Sequence, residues 1–236
     1  MAFAGARFGI PVTIVAPHGN SVEKNAAMRG FGATLVEHGR DFDDALAHAA
    51  TLAAAQGLEF APSFAPDLVK GVATYALELF RAAPPLDAVY VPIGLGSGIC
   101  GLILARDLLG LATEIVGVQS DRANAYALSL AAGRIVPTNS AQTRADGMAT
   151  RTPNPDAFDL IRRGAARIVE VSDDEVAEAI RILWTDTHTL AEGAGAAAFA
   201  ALMQERDRMR GKRAGVIVTG GNIDLALFRS WVLDAG

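Results

Sequence analysis

The sequence predicts an α/β protein built around a parallel sheet, and two observations lead to this expectation. Short β-branched runs alternate with helical stretches through connections of a few residues, as at the strands 11–16 and 33–37, which are each followed by a helix. This strand–helix–strand order is typical of parallel sheets. In addition, 51% of the 236 residues are hydrophobic, 24 are glycine and only 6% are aromatic. That composition suits an alanine-rich α/β enzyme.

The same alternation continues along the rest of the chain. A loop with two prolines at 60–66 is the best candidate for a hinge or domain boundary. Further strands are predicted at 88–93, 114–118, 167–171 and 215–218, and further helices at 42–56, 67–82, 99–109, 124–132, 155–163, 172–185 and 189–208. Capping signals mark the starts of two helices: Asn20 or Ser21 with Glu23 reaching back, and Ser172 with Glu175.

Charge and cysteine content narrow the classes of function. The net charge is −5 and no block of like charges occurs, so binding to nucleic acid or to an anionic membrane has no electrostatic support. The single cysteine excludes an internal disulfide framework and fits a reducing compartment. No apolar run reaches transmembrane length, and no basic N-terminal region leads into a long apolar core. We therefore expect a soluble, cytoplasmic protein.

The most informative stretch is DAVYVPIGLGSGICG, residues 87–101. A short apolar strand breaks into a loop with glycine at positions 94, 96, 98 and 101, and a helix follows. Glycines let the backbone approach a ligand closely, while the free N–H groups and the dipole of the helix N-terminus attract an anion, most often a phosphate. The alternative is that these glycines only make a tight joint between a strand and a helix.

A dinucleotide fold is one interpretation of this stretch. The segment from Gly96 to Gly101 matches the pattern G-x-G-x-x-G, and Asp121 lies where a ribose-binding acid is expected. However, Gly94 and Leu95 lengthen the turn ahead of the pattern, and a second glycine turn at 219–222 is not required by that fold.

Six stretches, in the same order along the chain, support a different interpretation. They are PHGNSVEKNAAMRGFGATLVEHG (17–39), GVATYALEL (71–79), VPIGLGSGICG (91–101), ADGMA (145–149), AEGAGAAA (191–198) and VTGGNID (218–224). Together they resemble the threonine/serine dehydratase group of fold-type II pyridoxal-phosphate enzymes, and the resemblance extends over the whole chain.

The resemblance implies a tryptophan synthase β-like fold with two open parallel-sheet α/β domains. Residues 1–60 would be the remainder of the small domain and residues 61–236 the large cofactor-binding domain, with no C-terminal regulatory domain. It implies pyridoxal 5'-phosphate as cofactor, a small amino acid as substrate, and a homo-oligomer, either a dimer or a tetramer.

The resemblance also assigns roles to individual residues. The phosphate would be cupped by five consecutive residues, Gly94, Leu95, Gly96, Ser97 and Gly98. Thr219 would lie beside the pyridine nitrogen, where the family has Ser or Cys, although it could be a plain turn residue. Gly147 would lie against the ring face, and Glu192 would lie near the active site unless it belongs to a solvated helix face.

The lysine that the chemistry requires has no counterpart here. In the family, a Ser-x-Lys-x-Arg-Gly segment forms the Schiff base, and a Ser-x-Gly-Asn-His loop grips the substrate carboxylate. The three lysines, Lys24, Lys70 and Lys212, have neither setting. The helical stretch at 1–8 also has no capping residue, so we expect that roughly the first third of a complete enzyme is missing.

The expected family activity is β-elimination on a β-hydroxy amino acid such as L-threonine or L-serine, giving a 2-oxo acid and ammonia, with this chain inactive alone. The alternatives are a racemase or another ammonia-lyase on the same fold, a non-catalytic remnant, or a dinucleotide-binding protein. We expect no metal site, because the four histidines lack ligand spacing and Gln119 replaces the acid of the metal-binding segment in some eukaryotic serine racemases. Cys100 is expected in the core.

Overall fold

The computed structural model describes residues 1–234, and these form two compact units. The first comprises Met1–Pro62 and the distant segment Asn222–Phe228. The second comprises Ser63–Gly221 and the residues from Arg229 onward. The division into domains at residue 60 stays a prediction, and local sequence patterns do not reveal that Asn222–Phe228 packs with the first unit.

The first unit is a small parallel α/β arrangement. Its elements are α1 (Ala2–Phe8), β1 (Thr13–Ala16), α2 (Val22–Gly30), β2 (Thr34–Glu37), α3 (Phe42–Gln56) and the short helix Leu225–Phe228. The strands β1 and β2 pair in parallel, with Thr13 opposite Thr34. At the start of α3, Asp41 accepts a hydrogen bond from the backbone N–H of Asp44, as expected of an N-cap residue.

The expected cap of α2 is half right. The Ser21 hydroxyl accepts a hydrogen bond from the N–H of Lys24, but the Glu23 carboxylate does not reach back. Glu23 is the second residue of the helix, whereas the carboxylate of a capping box belongs at the third. It instead accepts a 2.8 Å hydrogen bond from the N–H of Leu225. In return, Asp224 accepts hydrogen bonds from the Ser21 hydroxyl and the Val22 N–H.

The second unit contains a four-stranded parallel sheet in the order β5-β4-β3-β6. The strands are β3 (Ala88–Pro92), β4 (Glu114–Ser120), β5 (Arg167–Val171) and β6 (Ala214–Val216). All five residues of β3 are buried, as are six of the seven residues of β4. Near-continuous apolar runs are typical of strands that are covered on both faces. The predicted α/β fold with parallel sheets is therefore confirmed.

Six helices accompany this sheet: α4 (Pro66–Ala82), α5 (Ser97–Leu108), α6 (Ala125–Ala132), α7 (Pro155–Gly164), α8 (Asp173–Thr187) and α9 (Gly193–Gln204). The predicted capping box of α8 is present, since Ser172 and Glu175 exchange both hydrogen bonds. The helices α4 and α5 pack closely because a Cβ on Gly101 would lie only 3.1 Å from the backbone of Ala73. Among residues 1–234, no helix is long and apolar enough to cross a membrane.

Two predicted elements near the C-terminus have wrong bounds. The helix expected at 189–208 begins only at Gly193, because the N–H of Glu192 donates to the carbonyl of Gly220 and residues 189–192 are not helical. It ends at Gln204, and turns follow. The strand expected at 215–218 is the shorter β6, so residues 217–219 leave the sheet before the glycine turn.

A half-buried ionic cluster joins the starts of two strands to the end of α9. Arg167 forms salt bridges to Glu205 at 2.6 Å and to Glu114 at 2.7 Å, and the hydroxyl of the buried Tyr90 donates to Glu205 at 2.6 Å. Burial alone would raise the pKa of Glu205, but the hydrogen bonds from Arg167 and Tyr90 outweigh it and hold the pKa below its ordinary value. The cluster therefore favours a charged Glu205 in the folded chain.

We predict that Arg167→Ala lowers the free energy of unfolding by about 3–5 kcal/mol, because it leaves Glu205 as a largely buried charge without its cation. Urea unfolding followed by circular dichroism measures the loss. Arg162→Ala is the matched control, since Arg162 forms only an exposed pair with Asp159 and should change stability by less than about 1 kcal/mol. Equal losses in both variants would contradict the prediction.

The same cluster predicts a dependence on pH. Because the pKa of Glu205 is lowered on folding, its contribution is present above the ordinary carboxyl pKa and is lost as the pH falls through the folded value. Protonation also removes the unpaired charge in Arg167→Ala. The stability difference between wild type and this variant should therefore shrink as the pH is lowered from about 7 to about 4, as measured by urea unfolding at each pH. A constant difference would contradict it.

Candidate functional site

The glycine loop connects the carboxyl end of β3 to the N-terminus of α5. Gly96 is the N-cap residue and has φ 101°, a left-handed conformation that favours glycine. Within residues 1–234, the backbone N–H groups of Gly94, Leu95 and Gly96 donate no hydrogen bond. The N–H groups of Ser97 and Gly98 lie in the first turn of α5, where no intrahelical partner exists. Five successive amides are thus available to an anion, together with the helix dipole.

This loop lines a cavity of about 600 Å³. Every residue that the sequence suggested for the cofactor lines the same cavity: Gly94, Leu95, Gly96, Ser97, Gly98, Gly147, Glu192 and Thr219. They come from four separate segments of the second unit. Two of these segments follow the adjacent parallel strands β3 and β6, so the cavity lies at the carboxyl edge of the sheet, where α/β proteins bind their ligands.

Glycines allow these segments to approach one another. A Cβ on Gly94 would collide with the carbonyl oxygen of Gly147, and a Cβ on Gly195 would collide with that of Gly220. A Cβ on Gly147 would lie 2.8 Å from the Cβ of Ala194, at the start of α9. The protein itself therefore requires glycine at position 147, in addition to any requirement of a ligand.

Glu192 and Thr219 lie at the ends of their elements. Glu192 is the N-cap residue of α9 and is only partly exposed, so it does not lie on a solvated helix face. A Cβ on Gly220 would lie 2.8 Å from the Glu192 Oε1 atom, which shows how closely the turn packs against this carboxylate. Thr219 is exposed at the wall of the cavity, three residues after β6 ends.

Sequence reasoning missed three hydroxyl groups that contact the loop. The hydroxyl of Thr150 donates to the carbonyl of Gly94, that of Tyr126 to Leu95, and that of Tyr75 to Gly98, at 3.1, 2.7 and 3.0 Å. Helical spacing alone assigns Tyr75 to the apolar stripe of its helix, and in the structure it also lines the cavity. The partners are 23 to 56 residues apart in the chain, so no local pattern connects them.

None of the three lysines lines this cavity in the part of the chain that the structure describes. Lys24 lies on α2 of the first unit. Lys70 forms a 3.0 Å salt bridge with Asp67 on the exposed face of α4. Lys212 lines a different cavity, of about 430 Å³, together with Asp87 at the beginning of β3.

Cys100 and Gln119 have structural roles. Cys100 is fully buried, which confirms the expectation that it belongs to the core, and burial raises the pKa of its thiol to about 12. Gln119 is also fully buried, and its Oε1 atom accepts a hydrogen bond from the N–H of Ala127 in the first turn of α6. Among residues 1–234, no group of three or more His, Cys, Asp or Glu could hold a metal ion.

A family model described as pyridoxal-phosphate-dependent enzyme matches residues 1–220. The L-threonine ammonia-lyase of Thermotoga maritima is 33% identical, over 95% of this chain and 56% of its own length. The L-threo-3-hydroxyaspartate ammonia-lyase of a Pseudomonas species is 35% identical, over 98% of this chain and 72% of its own. The serine racemase of Schizosaccharomyces pombe is 30% identical, over 95% and 70%. The chain thus spans little more than half of the Thermotoga relative.

Solved structures have the same fold. Threonine deaminase isoform 2 of Solanum lycopersicum, in its processed form, superposes with a TM-score of 0.90 at 29% identity, covering 100% of this chain and 69% of that one. A second threonine deaminase, from the source abbreviated T.th., gives 0.86 at 30% identity, covering 95% and 74%. The fold is that of the fold-type II pyridoxal-phosphate enzymes, and the dinucleotide interpretation of the glycine loop is not supported.

The burial of Cys100 makes its reactivity testable. We predict that a disulfide reagent such as dithionitrobenzoate labels no thiol of the native chain at pH 8, because the thiol is inaccessible and its pKa is about 12. The chain unfolded in guanidinium should release one equivalent of thionitrobenzoate, since it contains one cysteine. Rapid labelling of the native chain, with absorbance at about 412 nm as the readout, would show that the region around Cys100 opens.

Proposed function

Because the chain belongs to the pyridoxal-phosphate-dependent enzyme family, we propose that its glycine-loop cavity binds pyridoxal 5'-phosphate. The observation that carries this proposal is the run of five amides with no partner among the described residues, at the N-terminus of α5. Backbone N–H groups and a helix dipole suit a phosphate. The glycine contacts leave this edge of the cavity free of Cβ atoms, so a flat ring and its phosphate can approach the backbone.

The roles of the individual residues follow from their positions in the cavity. We propose that Gly94, Leu95, Gly96 and Gly98 bind the phosphate through their N–H groups, and that Ser97 adds its hydroxyl. Thr219 would lie beside the pyridine nitrogen. Because it offers a neutral hydroxyl and not a carboxylate, Thr219 would not hold a proton on that nitrogen. Gly147 and Glu192 would flank the ring.

The bound cofactor supplies an electron sink for the amino acid whose Cα proton is removed. A ring nitrogen without a proton restrains this sink, which suits loss of a β-hydroxyl group from the substrate. We therefore propose that the whole protein converts a β-hydroxy amino acid, such as L-threonine or L-serine, to a 2-oxo acid and ammonia. The names of the Thermotoga and Pseudomonas relatives support an ammonia-lyase.

A second candidate is racemisation of an amino acid on the same fold, which the 30% identity to a serine racemase favours. A third is a non-catalytic cofactor-binding chain. Measurement of 2-oxo acid and of the D-amino acid from the same L-serine and L-threonine incubations distinguishes the first two in the full reading frame. A small amino acid as substrate and a dimer or tetramer remain parts of this proposal.

For the chain of 236 residues, we propose that the cofactor binds without a covalent bond. The support is that none of Lys24, Lys70 and Lys212 lines the cavity among the described residues. The chain alone should therefore form no 2-oxo acid from L-threonine. After treatment with borohydride and unfolding, it should release all its cofactor. Retention of the cofactor on a lysine peptide, detected by mass spectrometry, would overturn this part of the proposal.

We predict that Gly94→Ala weakens binding of pyridoxal phosphate at least about ten-fold, because the new Cβ would collide with the carbonyl of Gly147 and displace the loop. Equilibrium dialysis of the purified chain measures the change. Gly71→Ala on the exposed face of α4 is the matched control, since its Cβ would meet open space. Binding of NAD to the wild-type chain, with none of pyridoxal phosphate, would reject the proposed function.

A further inference from the structure

The three hydroxyls that contact the glycine loop come from three different parts of the second unit. Tyr75 lies on α4, Tyr126 on α6, and Thr150 follows the 3₁₀ turn Asp146–Met148. Each donates to a different loop carbonyl, of Gly98, Leu95 and Gly94 in turn. The loop is therefore held from outside at three points, although its own sequence is rich in glycine.

The hydroxyl groups are themselves fixed in place. Tyr126 is fully buried, and its oxygen also accepts a 3.0 Å hydrogen bond from the N–H of Asn154, which is the N-cap residue of α7. Thr150 is 6% exposed. Burial raises the pKa of both Tyr75 and Tyr126, so each stays a protonated donor.

The geometry of the peptide unit converts these contacts into control of the amides. A peptide group is planar and trans, so its C=O and N–H bonds point in opposite directions. The carbonyls of Gly94, Leu95 and Gly98 belong to the same peptide groups as the N–H groups of Leu95, Gly96 and Ile99. A hydroxyl that holds one of these carbonyls therefore turns the attached N–H away from itself. The three hydroxyls oppose the rotations that glycine permits.

We propose that Tyr75, Tyr126 and Thr150 are positioning residues that hold the loop amides in the orientation that binds phosphate. This inference rests on the proposed function and adds a set of residues to it. None of the three is required to contact the ligand, because each acts through a loop carbonyl. Such preorganisation increases affinity, since the loop does not have to be ordered when the anion binds.

The experiment uses the purified chain and the variants Tyr75→Phe, Tyr126→Phe and Thr150→Val, each of which removes a hydroxyl and keeps the shape of the side chain. Tyr90→Phe is the matched control, because Tyr90 is equally buried but its hydroxyl donates to Glu205. Amide hydrogen exchange of the ligand-free loop is measured by mass spectrometry. Affinities for pyridoxal phosphate, inorganic phosphate and pyridoxal are measured by equilibrium dialysis.

We expect faster exchange at residues 94–99 in the three variants and not in Tyr90→Phe. We also expect affinities for inorganic phosphate and pyridoxal phosphate about five-fold lower per hydroxyl removed, with the affinity for pyridoxal unchanged. Thr150→Ser, which keeps the hydroxyl, should restore both values. A general loss of stability would weaken pyridoxal binding too, so the comparison separates positioning from a merely structural role.

Unchanged exchange at residues 94–99 in all three variants would overturn the inference, whatever the ligand does. Faster exchange with an unchanged affinity for phosphate would overturn it as well. If the wild-type chain binds neither pyridoxal phosphate nor phosphate, the proposed function fails, and the claim that the hydroxyls serve anion binding fails with it. That result is distinct from the other two because it appears already in the unsubstituted chain.

Discussion

Close approach of backbone segments around one cavity is the constraint on which the rest of the second unit depends. The loop after β3 contacts the 3₁₀ turn at Gly147, and α9 begins against the turn that follows β6. Side chains at Gly94, Gly147 or Gly195 would force these segments apart. The parallel sheet brings two of the segments to one edge, and glycine allows all four to meet there.

The two edges of the sheet therefore differ in kind. At the carboxyl edge, backbone amides with no partner in the described chain face an open cavity, which is a poor arrangement for stability and a good one for binding. Near the opposite edge, Arg167 satisfies two carboxylates at once. Stability is concentrated where the strands begin, and exposed polar groups where they end. This division is common in α/β proteins, whose ligands bind at the carboxyl ends of strands.

Much of the fold could be predicted from the sequence because its signals are local. The apolar run of β3, the capping pair Ser172 and Glu175, and the glycines after β3 each act within a few residues. What could not be predicted depends on distant partners. Glu192 fails to continue a helix upstream because its N–H is taken by Gly220, which lies 28 positions later. The hydroxyls of Tyr126 and Thr150 were missed for the same reason, since tertiary contacts select their acceptors.

The reciprocal caps of the first unit have a consequence for biosynthesis. The first amides of α2 are satisfied by Asp224, and the first amide of the last helix is satisfied by Glu23. Since a ribosome makes the chain from Met1 onward, α2 emerges early, and its cap emerges only after the whole sheet of the second unit. A contact across about two hundred residues closes slowly. The unit that is made first is therefore the one completed last.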